Sequence, residues 1–376
     1  MLPPGNVPGM ISQQASPSLQ RTALRGISMW SRWQPDRSLF FNSFFIRGKE
    51  SNVVVDPLAA EESDLQAIES QGGVAWIVIT TRDHEREAAF FAERFGAKVA
   101  APQRDVPEMR VRVDRELRDG DAIERARVVQ LEGMKSPGEF ALHLEDCATV
   151  VVGDALWGDP PGSLRMVADE KLGDPKKALL SLRRLWALEP KNILVGDGDC
   201  IYGGAAEAIE TYLASRSDAL IHKINLDELP EWKERAGPGR HRRKAAEVGL
   251  LIGARKLGYQ MFEIDPGNFA TPMHGHTDEE ELYVVFEGTG TIRLPHGEFP
   301  IRKGDFIALP VGERGAHQVQ NTGTGKLLVL ALANNVDTDC CFYPDSDKLL
   351  FARKLMPRMV SGNGGANLDY FAGEKG

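Results

Sequence analysis

The stretch PMHGHTDEEELYVVFEGTG, Pro272 to Gly290, sets two histidines two residues apart, ahead of four acids, an apolar run and two glycines. In an extended chain, residues i and i+2 point to one face, so His274 and His276 direct two imidazoles into one volume. Alone, the pair also fits a polar edge strand. Three further features favour a metal. Glu281 follows His276 by five residues and opens the apolar strand. Gly288 and Gly290 close that strand in a tight turn. Another histidine arrives in GDFIALPVGERGAHQVQN, which carries Gly304, Pro310, Gly312, His317 and Asn321. Imidazole nitrogens joined by one carboxylate suit Fe(II), Mn, Ni or Zn.

Together the two stretches resemble the paired signature motifs of the cupin superfamily. Gly267, His274, His276, Glu281 and Gly288 match the first motif, with one extra residue before His274. Gly304, Pro310, Gly312, His317 and Asn321 match the second, with a four-residue gap before His317 where two is commoner. The resemblance covers roughly residues 222–350. It implies an all-β barrel, or jelly roll, with His274, His276, Glu281 and His317 as ligands of one divalent transition metal. Glu281 is preferred to Glu280, because only Glu281 places Gly288 after six residues. Asp278, Glu279 and Glu280 are then expected to be solvated. Tyr283 and Val285 share the face of Glu281, and Tyr283 is expected as wall packing. Gln318 and Arg314 are expected as exposed loop polarity.

Composition sets the frame. A chain of 376 residues predicts two domains. A net charge of −9 argues against a nucleic-acid binder and an anionic membrane surface. Four cysteines make no disulfide framework, and a reducing cytoplasm is the default. Adjacent Cys340 and Cys341 suit two faces of one strand. No apolar run reaches the roughly 18 residues of a membrane helix.

Strand and helix patterns alternate over 39–215, which reads as an α/β domain. Residues 1–38 are expected as a disordered or loosely packed extension. Residues 216–250 are expected as a linker and junction, with the basic run Arg240 to Lys244 a solvated loop. Short strands with glycine, proline and asparagine turns from 251 to 350 predict the barrel. Residues 351–376 form a tail. Asp56, Asp154 and Asp197 each sit at or just past the end of an apolar strand, where α/β sheets place their sites.

The order FNSFFIRGKESNVVVDP, IVITTRDHERE, EGMKSPGEFALHL, ATVVVGDALWG and NILVGDGDCIYGG resembles the metallo-β-lactamase fold, an αββα sandwich. The resemblance also shows what is missing. The slots of that family's H-x-H-x-D-H motif hold Thr81, Asp83, Glu85 and Arg86. Lys135 precedes Ser136-Pro137-Gly138, Asp154 keeps the bridging aspartate, and Asp197 replaces the last histidine. A di-zinc hydrolase needs several imidazoles to hold its metals. The N-terminal domain is therefore expected to be inactive, with Arg86 and Lys135 bringing positive charge where cations would sit. The alternative is an oxygen-ligand site of Asp83, Asp154 and Asp197, holding Mg or Mn. His84 is offset from the motif and is expected as a first-turn helix residue. Asp56 is expected to cap or turn the chain.

The leading expectation for function is a cupin metal site that oxidises or isomerises a small polar organic molecule. The alternatives are a non-catalytic small-molecule binder or sensor, and a hydrolase using the N-terminal oxygen ligands. Cupin-like barrels commonly pair, so a homodimer is expected.

Overall fold

The computed structural model describes residues 15–216, 222–229, 232–353, 358–361 and 373. The chain divides into two compact units, Met1–Ile221 and His222–Gly376. Among the described residues, no helix is long and apolar enough to cross a membrane.

In the first unit, seven strands form one sheet in chain order. They are Gln20–Arg21, Ile27–Gln34, Leu39–Arg47, Asn52–Val55, Trp76–Val78, Lys98–Pro102 and Arg115–Leu117. The first four run antiparallel and the last three continue in parallel. A second sheet of six orders Ile201–Tyr202, Asn192–Val195, Thr149–Val152, Phe140–Leu144, Ala126–Gln130 and Ala122–Ile123. The period of two in the strands divides their side chains between two cores. Met29, Phe44 and Val55 pack with Leu142, Val151 and Leu194 of the second sheet. Trp30, Phe45 and Val54 point the other way, onto Leu65, Ile68 and Phe91 of the helices Glu62–Ser70 and Ala88–Phe95. The helices Pro175–Ala187 and Ala205–Arg216 add Leu182, Leu185, Ile209 and Leu213 to the first core. The result is the expected αββα sandwich.

Two expectations need correction here. The extension 1–38 is not loose over its described part: Ile27–Gln34 is paired along its whole length with Leu39–Arg47, and Trp30 is fully buried. Its polar and basic residues masked an alternating strand. Residues 1–14 lie outside the described part. His84, expected in the first turn of a helix, instead ends a single 3-10 turn at Arg82–His84, and the helix begins at Ala88. Arg86 breaks the helix with a φ of +42°, reaching back to donate to the Asn42 carbonyl at 2.8 Å.

The second unit is all-β apart from short helical turns. A six-stranded antiparallel sheet orders Lys233–Ala236, Arg242–Ala246, Leu257–Ile264, Leu327–Asn334, Glu281–Glu287 and Phe306–Leu309. A three-stranded sheet holds Gly297–Arg302, Thr289–Leu294 and Gln318–Gln320. A further sheet orders Gly275–His276, Thr338–Tyr343, Lys348–Arg353 and Arg358–Ser361. Inward residues of the first two sheets make one core, including Phe262, Tyr283, Val285, Ile292, Val319 and Val329.

The expected linker 216–250 is likewise corrected. Lys233–Ala236 and Arg242–Ala246 are strands of the six-stranded sheet, and the basic run is not a solvated loop, because His241 within it is 2% exposed. Charge on one face concealed the strand. Ahead of these strands, Leu226–Glu228 forms a 3-10 turn capped by Asn225. The expected tail contributes strand residues to 353 and again over Arg358–Ser361; most of its glycine-rich end lies outside the described residues.

Candidate metal centre

Two loops are tied together at the mouth of the second unit's core. The His274 amide donates to the His317 carbonyl at 3.1 Å, and the His317 amide returns a bond to His274 at 2.7 Å. This exchange sets the two imidazoles side by side, with ring centroids 4.4 Å apart. Gly312, at φ +85°, turns the second loop and donates to the His276 carbonyl at 2.7 Å. Asn321 is fully buried and its amide bridges the carbonyls of Ile264 and Gly325, so both loops hang from one fixed frame.

Each histidine is oriented through Nδ1. That atom lies 3.0 Å from the Pro272 carbonyl in His274, 2.9 Å from the Gly315 carbonyl in His317, and 2.6 Å from Asp339 Oδ2 in His276. A carbonyl oxygen only accepts, so Nδ1 of His274 and His317 carries the hydrogen and Nε2 keeps its lone pair. Glu281 Oε2 sits 3.3 Å from Nε2 of His317 and 3.5 Å from Nε2 of His276. Nε2 of His276 and Oε2 of Glu281 are buried without a hydrogen-bond partner. One ligand atom each from His274, Glu281 and His317 lies within 4.8 Å of the others. A buried pair such as His276 Nε2 and Glu281 Oε2 needs a shared proton or a cation between its members, and with three imidazoles around one carboxylate the donor set fits a metal ion.

The electrostatics agree. Burial, reinforced by its neighbouring histidines, holds the His274 imidazole well below its usual range, and burial lowers His317 to about 4. Both are neutral, as metal ligands must be. Burial pushes Glu281 up to about 7. For His276 burial lowers the value, but the bond to Asp339 and the charge of Glu281 raise it overall.

Of the four residues expected as ligands, His274, His276 and Glu281 line one cavity, and His317 lies buried behind it against Glu281 and Tyr283, while the surroundings depart from expectation. Glu279 is not simply solvated: it is half-buried, 3.6 Å from His276 Nδ1. Tyr283 packs in the wall as expected and also donates its hydroxyl to His317 Nε2 at 3.0 Å. Gln318 is buried rather than exposed and donates to the Thr271 carbonyl at 3.1 Å, because its strand faces inward there; Arg314 is exposed. Cys340 and Cys341 do face opposite sides of one strand, with Cys341 buried near His274 and His276. Asp339 went unread, since its partner His276 lies 63 residues away and no local spacing links them. The cavity is about 690 Å³ and includes His241, Arg243 and Gln260 in its lining. That is the size of a small-molecule site.

The first unit gathers charges at the strand ends. Asp56 accepts from the Thr80 amide and hydroxyl and lies 2.9 Å from His84 Nδ1. It therefore does turn the chain, at φ +48°, and it also anchors His84. His84 is 4% exposed at the centre of the cluster, not an isolated helix residue, with Nε2 3.5 Å from Asp154 and 4.0 Å from Asp197. The three aspartates of the oxygen-ligand alternative divide: Asp154 and Asp197 meet around His84, while Asp83 turns to Lys135 at 2.7 Å. Lys135 also approaches Asp154 at 3.5 Å, and Arg86 lies 3.3 Å from Asp197 and 3.1 Å from His84 Nε2. Burial pushes Asp197 up to about 6. Asp154 is held below the usual carboxylate range: burial opposes this, but His84, Lys135 and Arg86 outweigh it. Glu139, 1% exposed, was not read from the sequence; burial and then the charge of Asp154 raise its carboxyl well above the usual range.

Comparison with known proteins agrees with both units. A family model of the metallo-beta-lactamase superfamily matches residues 17–215, and a cupin domain model matches residues 260–333. An uncharacterised protein of Methanocaldococcus jannaschii is 33% identical over 81 residues, 22% of this chain; the match spans 56% of that relative, about half its length. A crystal structure of a putative sugar phosphate isomerase from Acidithiobacillus ferrooxidans is 27% identical, covering 40% of this chain and 97% of that one, at a TM-score of 0.36. A beta-lactamase domain protein from Burkholderia ambifaria is 20% identical, covering 54% of this chain and 73% of that one, at a TM-score of 0.42. With more than half its length matched, the chain belongs to the metallo-beta-lactamase superfamily and carries a cupin domain after that unit in sequence.

Proposed function

We propose that the cupin domain holds one divalent transition metal on His274, His276, Glu281 and His317, and acts there on a small polar organic molecule by oxidation or isomerisation. The observation that supports a metal is the buried, partnerless pair of His276 Nε2 and Glu281 Oε2 among imidazoles already oriented by their Nδ1 atoms. A bound metal supplies Lewis acidity, or an oxygen-reactive centre if it is redox-active. The chain does the rest. Asp339 and the two carbonyls fix the rings, Tyr283 holds a hydroxyl at the ligand set, and the 690 Å³ cavity limits the substrate's size.

In the first unit, Arg86 and Lys135 already lie against the acids that would hold cations. We assign that unit no zinc and no hydrolytic role.

The test is elemental analysis of the purified protein and of His274→Ala with His276→Ala. Loss of one transition-metal equivalent is expected; unchanged metal content rejects the ligand assignment. Oxygen uptake and turnover against a metabolite panel then separate an enzyme from a binder. A homodimer is proposed on the habit of such barrels alone, and elution as a monomer at micromolar concentration counts against it.

A further inference from the structure

The basic run Arg240 to Lys244 has no place in the chemistry above, yet its middle reaches the cavity. Alternation along Arg242–Ala246 sends neighbours to opposite faces. Arg242 pairs with Glu234 and Lys244 with Glu263, both on partly exposed carboxylates. Arg243 lies between them and lines the cavity together with His274, His276 and Glu281. Its guanidinium stacks 4.0 Å from the centroid of Phe262 and donates from Nη1 to the Ala270 carbonyl at 3.1 Å. Phe262 in turn packs edge-on to Tyr283, whose hydroxyl meets His317. A continuous wall thus runs from the cation to the ligand set, and the charge of Arg243 is felt at both Glu281 and His274.

We propose that Arg243 is the anion-recognition residue of this cavity, so that its ligand is a small carboxylic acid with a carboxylate held by Arg243 besides the oxygen atoms that meet the metal. The assignment rests on the metal site proposed above. A stacked guanidinium is a planar fork already ordered for a planar carboxylate. The other arginine of the cavity, Arg235, is exposed, and Glu234 and Glu279 also line the space. One partly buried cation beside further acids matches a single-charged group better than a doubly charged one.

The probe is L-malate, a 2-hydroxy acid with a second carboxylate, compared with its 4-amide, which keeps the metal-chelating end and loses only the distal charge. Both are titrated into the full-length cobalt-loaded protein, followed by visible absorption and calorimetry. Malate is expected to bind about tenfold or more tightly than the amide, as for a hydrogen bond to a charged group. In Arg243→Met the ratio falls to about one while cobalt content is unchanged. Equal or undetectable binding to the wild-type protein overturns the proposal, as does a Met variant that keeps the preference. If circular dichroism shows that Arg243→Met does not fold, Arg243→Lys decides: it keeps the charge and loses the fork, so a reduced preference supports the assignment and an unaltered one overturns it. If the protein takes up no cobalt, the metal site fails on its own. Calorimetry on the metal-free protein then judges Arg243, with an Arg243-dependent preference for malate supporting the anion site and its absence overturning it.

Discussion

His276 shows how one contact tunes a candidate ligand. Its Nδ1 lies 2.6 Å from Asp339 Oδ2, while Asp339 Oδ1 accepts from the amides of Thr277 and Asp278 at 3.1 and 2.9 Å. The carboxylate is therefore fixed before any metal arrives, and it raises the basicity of the ring. Asp339→Asn keeps the shape and removes the charge. It is expected to weaken metal affinity by about 10–100-fold in a competition titration, the usual effect of losing such a supporting carboxylate. Glu281 and His276 would give a metal at this candidate site its pH dependence. Burial favours the neutral form of Glu281 up to about 7, whereas a metal needs the carboxylate. Binding below that pH must release a proton, so affinity falls as pH falls. His276, raised by Asp339 and Glu281, must likewise give up a proton, whereas His317, at about 4, and His274, lower than usual, stay neutral and add nothing. Metal affinity measured from pH 8 down to pH 5 should fall as pH falls, by about tenfold per unit for each proton released and more steeply where Glu281 and His276 both bind one. A flat profile throughout would show that neither Glu281 nor His276 is a ligand.

At the level of elements, the strand Glu281–Glu287 and its closing turn carry the geometry. The strand presents Glu281, Tyr283 and Val285 to one side, and Gly288 ends it at φ +85°. A Cβ there would lie 2.3 Å from the Lys326 carbonyl, against the neighbouring backbone. Gly288→Ala therefore suffers both the backbone conformation and a contact that cannot move away. A loss of about 1–3 kcal/mol in the stability of the second unit is expected by denaturant unfolding. The strand Thr338–Tyr343 pairs with Gly275–His276, which explains how Asp339 and Cys341 come to the site from so far along the chain. Arg242–Ala246 does the same for Arg243.

For the whole molecule, the two units give separable signals. Five of the six tryptophans, Trp30, Trp33, Trp76, Trp157 and Trp186, lie in the first unit and only Trp232 in the second. A metal bound in the cupin domain stabilises the unit that binds it by mass action, by about 3 kcal/mol at a hundredfold excess over Kd. Calorimetric melting with and without chelator should move one transition, while the melt followed by tryptophan fluorescence stays in place. A fluorescence transition that follows the metal while the other calorimetric transition stays in place would put the ion in the first unit instead. The same division explains what was legible in advance. Strand and helix periods gave an α/β domain followed by an all-β one, and the resemblance of local motifs to two families implied the αββα sandwich and the cupin barrel. That His274, Glu281 and His317 would converge was readable because local spacing and glycine turns decide where they point. The first unit's lost imidazoles were readable for the same reason. His84 at the centre of its acids, Asp339 behind His276, and Arg243 in the cavity wall were not. Each owes its role to partners that only tertiary packing brings near. The strands Ile27–Gln34 and Arg242–Ala246 were hidden likewise, since their charged and polar faces resemble loops until a sheet pairs with them. Local stereochemistry sets which residues can share a face, and long-range strand pairing decides what that face meets.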